Sequence, residues 1–85
     1  MASDETYIQN IRREVGANVR RFRYEREWSQ SQLAKSAGLN RSYLSMVENG
    51  RRNISLDNLV SLALALQVEP SELLVKVDPT SVGAE

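Results

Sequence analysis

A glycine and an asparagine separate two short helix-forming runs in the middle of the chain, within SQSQLAKSAGLNRSYLSMVENG, residues 29–50. Ser29 followed by Gln32 is typical of a capping box, which begins a helix. Gly38 favours the left-handed backbone that ends a helix, and Asn40 is a favourable cap for the next one. The sequence therefore predicts two short helices joined at a sharp angle, with Leu39 filling the elbow between them.

Apolar residues elsewhere recur every three or four positions, and no alternating pattern indicates strands. The remaining predicted helices are a first one over residues 6–27, a fourth that begins after Ser55, and a short fifth that opens at Glu69 and Pro70. Gly16 lies inside the first helix and is expected to weaken it. We expect an all-α, five-helix bundle over residues 6–77, with disordered segments at 1–5 and 78–85.

The predicted fourth helix carries more apolar surface than one small core requires. Leu56, Leu59, Ala63 and Leu66 form one stripe, and Val60 and Leu64 form a second. A chain of this size buries only a small core, so the second stripe predicts a homodimer. The predicted dimer interface contains Val60, Leu64, Leu73, Leu74 and Val77. The alternative is that these residues complete the core of the monomer.

Composition argues against an enzyme and against a membrane protein. The chain contains neither cysteine nor histidine, which removes most nucleophilic and metal chemistry. The adjacent Lys35 and Ser36 would point in different directions on a helix, so they predict no serine–lysine pair. No apolar run approaches the length of a membrane span. We expect a cytoplasmic protein with no cofactor, no metal and no small-molecule ligand.

Charge is distributed unevenly along a chain whose net charge is zero. Residues 20–53 contain eight basic and three acidic side chains, whereas residues 54–85 contain one basic and five acidic ones. A basic middle segment that coincides with the two short helices favours a nucleic-acid partner. The alternative is an ordinary solvated surface with an uneven charge distribution.

The same segment resembles the Cro/cI-type (XRE-like) helix-turn-helix family over roughly residues 12–75. The resemblance rests on residues 29–50 together with RRFRYEREW before them and ISLDNLVSLALALQVEPSELL after them. Within this family, NRSYLS followed by RRNISLDNL is most similar to the controller proteins of restriction-modification systems. The resemblance implies a lambda-repressor-like fold, a homodimer, and transcription regulation at palindromic operators, as activator, repressor or both.

In this fold the N-terminal end of the third helix enters the major groove. The predicted base contacts are therefore Arg41, Ser42, Tyr43, Ser45 and Met46. Arg41 can donate two hydrogen bonds to guanine, or it can be a surface arginine that contacts only phosphate. Ser42 can donate to a base or a phosphate, or it can be an ordinary first-turn residue. Tyr43 can instead pack on the second helix. Met46 stands where the family often has a polar residue, so it is expected to touch a thymine methyl or to contribute little.

Phosphate contacts are expected from polar side chains at both ends of the two short helices. The predicted set is Gln30, Asn40, Asn49, Arg51 and Arg52. Glu48 would repel DNA if it faced it, and the family pattern pairs a glutamate here with an arginine at the position of Arg23. The resemblance therefore implies a structural ion pair between Arg23 and Glu48.

The expected partners are a double-stranded palindromic operator, a second copy of the chain and, as a further candidate, RNA polymerase. Three other functions remain open at this point. The chain can be an antitoxin, a phage-type repressor, or a protein-interaction module that uses the same fold without a specific DNA site.

Overall fold

The computed structural model describes residues 2–76, with side chains from Asp4 onward. This part of the chain forms four α-helices and one 3-10 turn and has no strand, so the all-α prediction is confirmed. The elements are α1 (Ala2–Glu25), α2 (Gln30–Ala37), α3 (Arg41–Glu48), α4 (Leu56–Leu66) and the 3-10 turn Pro70–Leu73. None of these helices is long and apolar enough to cross a bilayer. The predicted tail 78–85 lies outside the described residues.

The predicted fifth helix is a single 3-10 turn, so the described bundle has four α-helices rather than five. Hydrogen bonds from Asn18 fix the path of the chain after the 3-10 turn. The side-chain amide of Asn18 donates to the carbonyl of Leu73 at 3.0 Å and to that of Val75 at 2.8 Å. These bonds occupy carbonyls that a longer helix would use internally, and they hold the segment against α1.

Helix α1 begins at Ala2, four residues before the predicted start, in the segment predicted to be disordered. Asp4 and Glu5 lie in its first turn, where negative charge interacts favourably with the helix dipole. The helix ends at Glu25, two residues before the predicted end, because Glu27 adopts a left-handed φ of 55°. The amide of Trp28 then donates back to the carbonyl of Arg23 at 3.1 Å, which closes the helix end.

Gly16 does not break α1, because this is where α1 crosses α3. A Cβ atom at this position would overlap the carbonyl oxygen of Val47 and lie 2.7 Å from that of Glu48. The glycine that sequence analysis interpreted as a weakness therefore permits the close contact between the two helices.

The local signals around the turn between α2 and α3 are confirmed. Ser29 Oγ accepts from the amide of Gln32 at 3.1 Å, and Gln32 Oε1 accepts from the amide of Ser29 at 2.7 Å. Gly38 has a φ of 70° and ends α2, and the amide of Leu39 donates to the carbonyl of Ala34 at 2.8 Å. The turn fixes the direction in which α3 leaves α2.

The core lies between α1, α2, α4 and the 3-10 turn, with Leu44 contributed by α3. It comprises Val15, Val19, Phe22, Leu33, Ala34, Leu44, Leu59, Leu62, Ala63, Leu66 and Leu73. Leu73 is fully buried within the single chain, which corrects its assignment to a dimer interface. Leu56, predicted on the core stripe with Leu59, is 73% exposed, whereas Leu62, which was not on that stripe, is fully buried.

The surface of α4 carries an apolar stripe that extends the predicted one. Leu56, Val60 and Leu64 follow one another at four-residue spacing, so they lie on one face of the helix. Leu64 is 73% exposed, and Leu74, after the 3-10 turn, is 47% exposed. Val60 is partly buried, and Val77 lies outside the described residues.

Candidate nucleic-acid interface

The first turn of α3 is fixed by its cap. Asn40 Oδ1 accepts from the amide of Ser42 at 2.8 Å and from that of Tyr43 at 3.3 Å. The cap therefore uses the oxygen of Asn40, and a phosphate contact by this side chain would have to come from its amide nitrogen.

One face of α3 remains exposed after the helix has packed. Leu44 and Val47 are buried, while Arg41, Ser42 and Met46 are exposed and Ser45 is partly buried. The exposed residues follow helical spacing and so lie together, opposite the buried pair. Four of the five residues predicted to contact bases thus lie on a single surface.

Tyr43, the fifth predicted base contact, is placed differently. Its side chain is partly buried, and its hydroxyl group donates to the carbonyl of Asn53 at 3.3 Å. The same hydroxyl accepts from the side-chain amide of Asn58 at 3.1 Å. The polar atom of Tyr43 is therefore bonded to the segment after α3 and to α4.

Arg23 and Glu48 form a buried, two-point ion pair between α1 and the end of α3. Arg23 Nε donates to Glu48 Oε2 and Nη2 donates to Oε1, both at 2.7 Å. The third guanidinium nitrogen, Nη1, donates to the carbonyl of Trp28 at 2.9 Å. The hydrogen bond to Glu48 raises the pKa of Arg23, against the opposing effect of burial.

Gln30, at the start of α2, belongs to the same cluster. Its Nε2 atom donates to Glu48 Oε1 at 3.0 Å. Glu48 thus ties α1, α2 and α3 together and cannot repel DNA as an exposed carboxylate would. An amide held in this way has a fixed orientation at the positive end of α2, where an anion is favoured.

Arg20 joins this cluster and was missed by sequence analysis. Its Nη2 atom donates to the carbonyl of Glu48 at 3.0 Å and to Asn49 Oδ1 at 3.2 Å. Asn49 in turn donates to the carbonyl of Ser45 at 2.9 Å. The sequence contained a signal for this contact. Arg20 lies three residues before Arg23, and side chains at that spacing lie on the same face of a helix.

Arg51 and Arg52 are exposed in the segment that follows α3. The segment is held at both ends by α1: Gln9 Nε2 donates to the carbonyl of Gly50 at 2.7 Å, and Arg12 Nη2 donates to Asn53 Oδ1 at 3.1 Å. Neither Gln9 nor Arg12 was predicted to have a role. Together with Arg41, the two arginines place exposed positive charge at both ends of α3.

Residues 19–73 match the family model described as helix-turn-helix. The chain is 43% identical over 75 residues to the control protein C.BamHI of Bacillus amyloliquefaciens, covering 87% of this chain and 89% of that protein. It is also 43% identical over 67 residues to a hypothetical transcription factor of Neisseria meningitidis, covering 79% of this chain but only 63% of the relative.

Solved structures agree with these relatives. The restriction-modification controller protein C.AhdI from Aeromonas hydrophila has 45% sequence identity and a TM-score of 0.71, covering 73% of this chain and 94% of that one. The predicted resemblance to restriction-modification controllers is thus confirmed, as is the prediction of a transcription regulator rather than an enzyme. The chain belongs to the helix-turn-helix family.

Proposed function

We propose that this protein binds a palindromic DNA operator as a homodimer and acts as a controller of restriction-modification genes. The observation that carries the proposal is the exposed N-terminal end of α3, where Arg41 and Ser42 stand free on a helix anchored by the buried pair of Arg23 and Glu48. A rigid support of this kind holds side chains at a fixed position against base edges.

The proposed contacts divide into two groups. Arg41, Ser42, Ser45 and Met46 would face the bases, with Arg41 able to donate two hydrogen bonds to guanine for about 1–3 kcal/mol of discrimination. The proposed phosphate contacts are Gln30, Asn40, Asn49, Arg51 and Arg52. All five would orient the protein without specifying sequence, and the two arginines would also neutralise phosphate charge.

The homodimer is proposed from the apolar stripe on α4. Leu56 and Leu64 are each 73% exposed, and Val60 lies between them. A symmetric contact through this stripe, extended by Leu74, would bury apolar area that the protomer leaves in water. It would also set two α3 helices against successive major grooves, about 34–36 Å apart.

The dimer is tested by sedimentation of Leu64→Glu beside the wild type. We expect the wild type to sediment as a dimer and the variant as a monomer, because a charge placed in the stripe would be buried without a partner. Asn10→Glu adds the same charge at an exposed position of α1 and should remain dimeric. A wild type that stays monomeric at high concentration would contradict the proposal.

DNA recognition is tested by selecting bound duplexes from a random library and then following affinity against salt concentration. We expect an enriched palindrome and a steep loss of affinity with salt for the wild type. Arg41→Ala should relax preference at one base pair in each half-site, whereas Lys76→Ala, which removes an equal charge in the acidic C-terminal segment, should not. A library that yields no enriched sequence would favour the protein-interaction module.

The regulatory part of the proposal requires a promoter. As a cytoplasmic controller the chain would affect RNA polymerase according to the position of its operator relative to the promoter. The same protein could then activate from one operator and repress from another. A reporter with the selected operator, measured over a range of protein concentration, distinguishes activation, repression and their combination. Reporter output that does not change with protein concentration would contradict a regulatory role.

A further inference from the structure

Tyr43 connects three elements through one oxygen atom. The hydroxyl group lies 3.3 Å from the carbonyl oxygen of Asn53, to which it donates, and 3.1 Å from the side-chain nitrogen of Asn58, from which it accepts. Both the donor and an acceptor site of the phenol are therefore used within the chain. A hydroxyl group with these two partners would have to break its bond to Asn53 in order to donate to a base.

The segment that Tyr43 binds is the one that carries Arg51 and Arg52. Asn53 ends this segment, and its side chain also accepts from Arg12 at 3.1 Å. Tyr43 and Arg12 thus both hold Asn53, Tyr43 through its backbone carbonyl and Arg12 through its side chain. The backbone of the segment is fixed by α3 and α1 together.

The ring of Tyr43 makes a second contact with this segment. The guanidinium carbon of Arg52 lies 5.4 Å from the ring centroid, within the range of a cation–π interaction. An exposed arginine otherwise samples many rotamers, and ordering it on binding costs conformational entropy. The ring reduces this cost by holding the guanidinium group near α3 before DNA arrives.

We propose that Tyr43 is a positioning residue for Arg52 and does not itself contact bases. Its hydroxyl group fixes the backbone at Asn53, and its ring holds the Arg52 guanidinium group for a phosphate oxygen. The inference rests on the proposed function, since it assumes that the chain binds DNA. It assigns Tyr43 to affinity and salt dependence, whereas Arg41 is assigned to sequence preference.

Tyr43→Phe removes only the hydroxyl group. We expect binding to weaken roughly two- to tenfold for every duplex alike, which corresponds to the net effect of one neutral hydrogen bond. The slope of log affinity against log salt should become shallower by up to about 0.9, the value for one phosphate contact. Base preferences selected from a random library should match those of the wild type.

A double-mutant cycle shows whether the effect passes through Arg52. In an Arg52→Ala background, Tyr43→Phe should cause little further loss, because the side chain that it positions is gone. In an Arg41→Ala background the loss should add in full. If Tyr43→Phe does not fold, as judged by urea unfolding, Asn58→Ala takes its place in the same cycle because it removes the other hydrogen bond to the hydroxyl group.

Three results would overturn the inference. A change of preference at one base pair with an unchanged salt slope would make Tyr43 a base contact. If Tyr43→Phe binds DNA with the affinity and salt slope of the wild type, the hydroxyl group has no role in binding. If the affinity losses of Tyr43→Phe and Arg52→Ala add in full, Tyr43 does not act through Arg52. The wild type alone tests the proposed function, because failure to bind any duplex would refute both.

Discussion

Substitution of Arg23 by methionine should be among the most damaging changes that a single side chain in this domain can undergo. The side chains of Arg23 and Glu48 are 8% and 0% exposed and meet at 2.7 Å. Arg23→Met leaves the carboxylate buried without its cation, at a cost of about 3–5 kcal/mol. An 85-residue chain has a total stability of about 4–13 kcal/mol at about 0.05–0.15 kcal/mol per residue, so the loss is a large fraction of the total.

The double variant Arg23→Met with Glu48→Leu should be more stable than Arg23→Met alone. Two apolar side chains leave no buried charge, and replacing an ion pair in this way is often neutral or stabilising. The groups that lose a partner are Gln30, the carbonyl of Trp28 and the guanidinium group of Arg20, and all three residues are partly buried. We expect the coupling between the two substitutions to exceed about 1 kcal/mol.

The assay is urea unfolding followed by circular dichroism at 222 nm, with linear extrapolation to water. Glu25→Ala is the matched control, since Glu25 pairs with Arg21 at 3.6 Å on the surface of the same helix, where an ion pair contributes at most about 1 kcal/mol. The reasoning is refuted if Arg23→Met lowers the free energy of unfolding no more than Glu25→Ala does. It is also refuted if the separate effects of Arg23→Met and Glu48→Leu sum to that of the double variant within about 0.5 kcal/mol.

Three further substitutions test other features by the same urea assay. Gly16→Ala should lower the free energy of unfolding by about 1–3 kcal/mol despite alanine's higher helix propensity, because the added carbon would overlap the backbone of α3. An unchanged stability would contradict the close contact between α1 and α3. Asn18→Ala should lower it by about 2–3 kcal/mol and speed amide hydrogen exchange after the 3-10 turn. Unchanged exchange would show that the bonds from Asn18 to Leu73 and Val75 do not hold that segment. Gln67→Gly should raise it by up to about 1 kcal/mol, because Gln67 follows the last residue of α4 with a left-handed φ of 61°. A loss of stability would contradict backbone strain at this position.

The turn between α2 and α3 could be predicted because its determinants are local. Ser29, Gly38 and Asn40 act on backbone groups within a few residues, so residue type and spacing are sufficient to identify them. Arg23 and Glu48 are 25 residues apart, and no local rule pairs them. The family resemblance supplied that pair, and the structure places the two side chains in contact.

Features that depend on how helices meet were predicted less well. Periodicity identified two stripes on α4 but did not fix its rotation, so Leu56 was placed inside. Leu73, in the 3-10 turn, was placed outside although it is fully buried. Gly16 was interpreted from its low helix propensity alone, although its effect on stability depends on α3, which packs against it. Asn18 lies among apolar neighbours on α1, and its partners are backbone carbonyls 55 and 57 residues away, which composition does not reveal.

The supporting groups and the exposed face of α3 are separate sets of residues. Glu48 is bonded to Arg20, Arg23 and Gln30, and the backbone of α3 touches Gly16, so α1 holds this helix from its buried side. Arg41, exposed on the other side, is not part of this cluster. Substitutions at exposed sites usually change stability by less than about 0.5 kcal/mol. Side chains on the exposed face of α3 can therefore be substituted without loss of the fold that presents them.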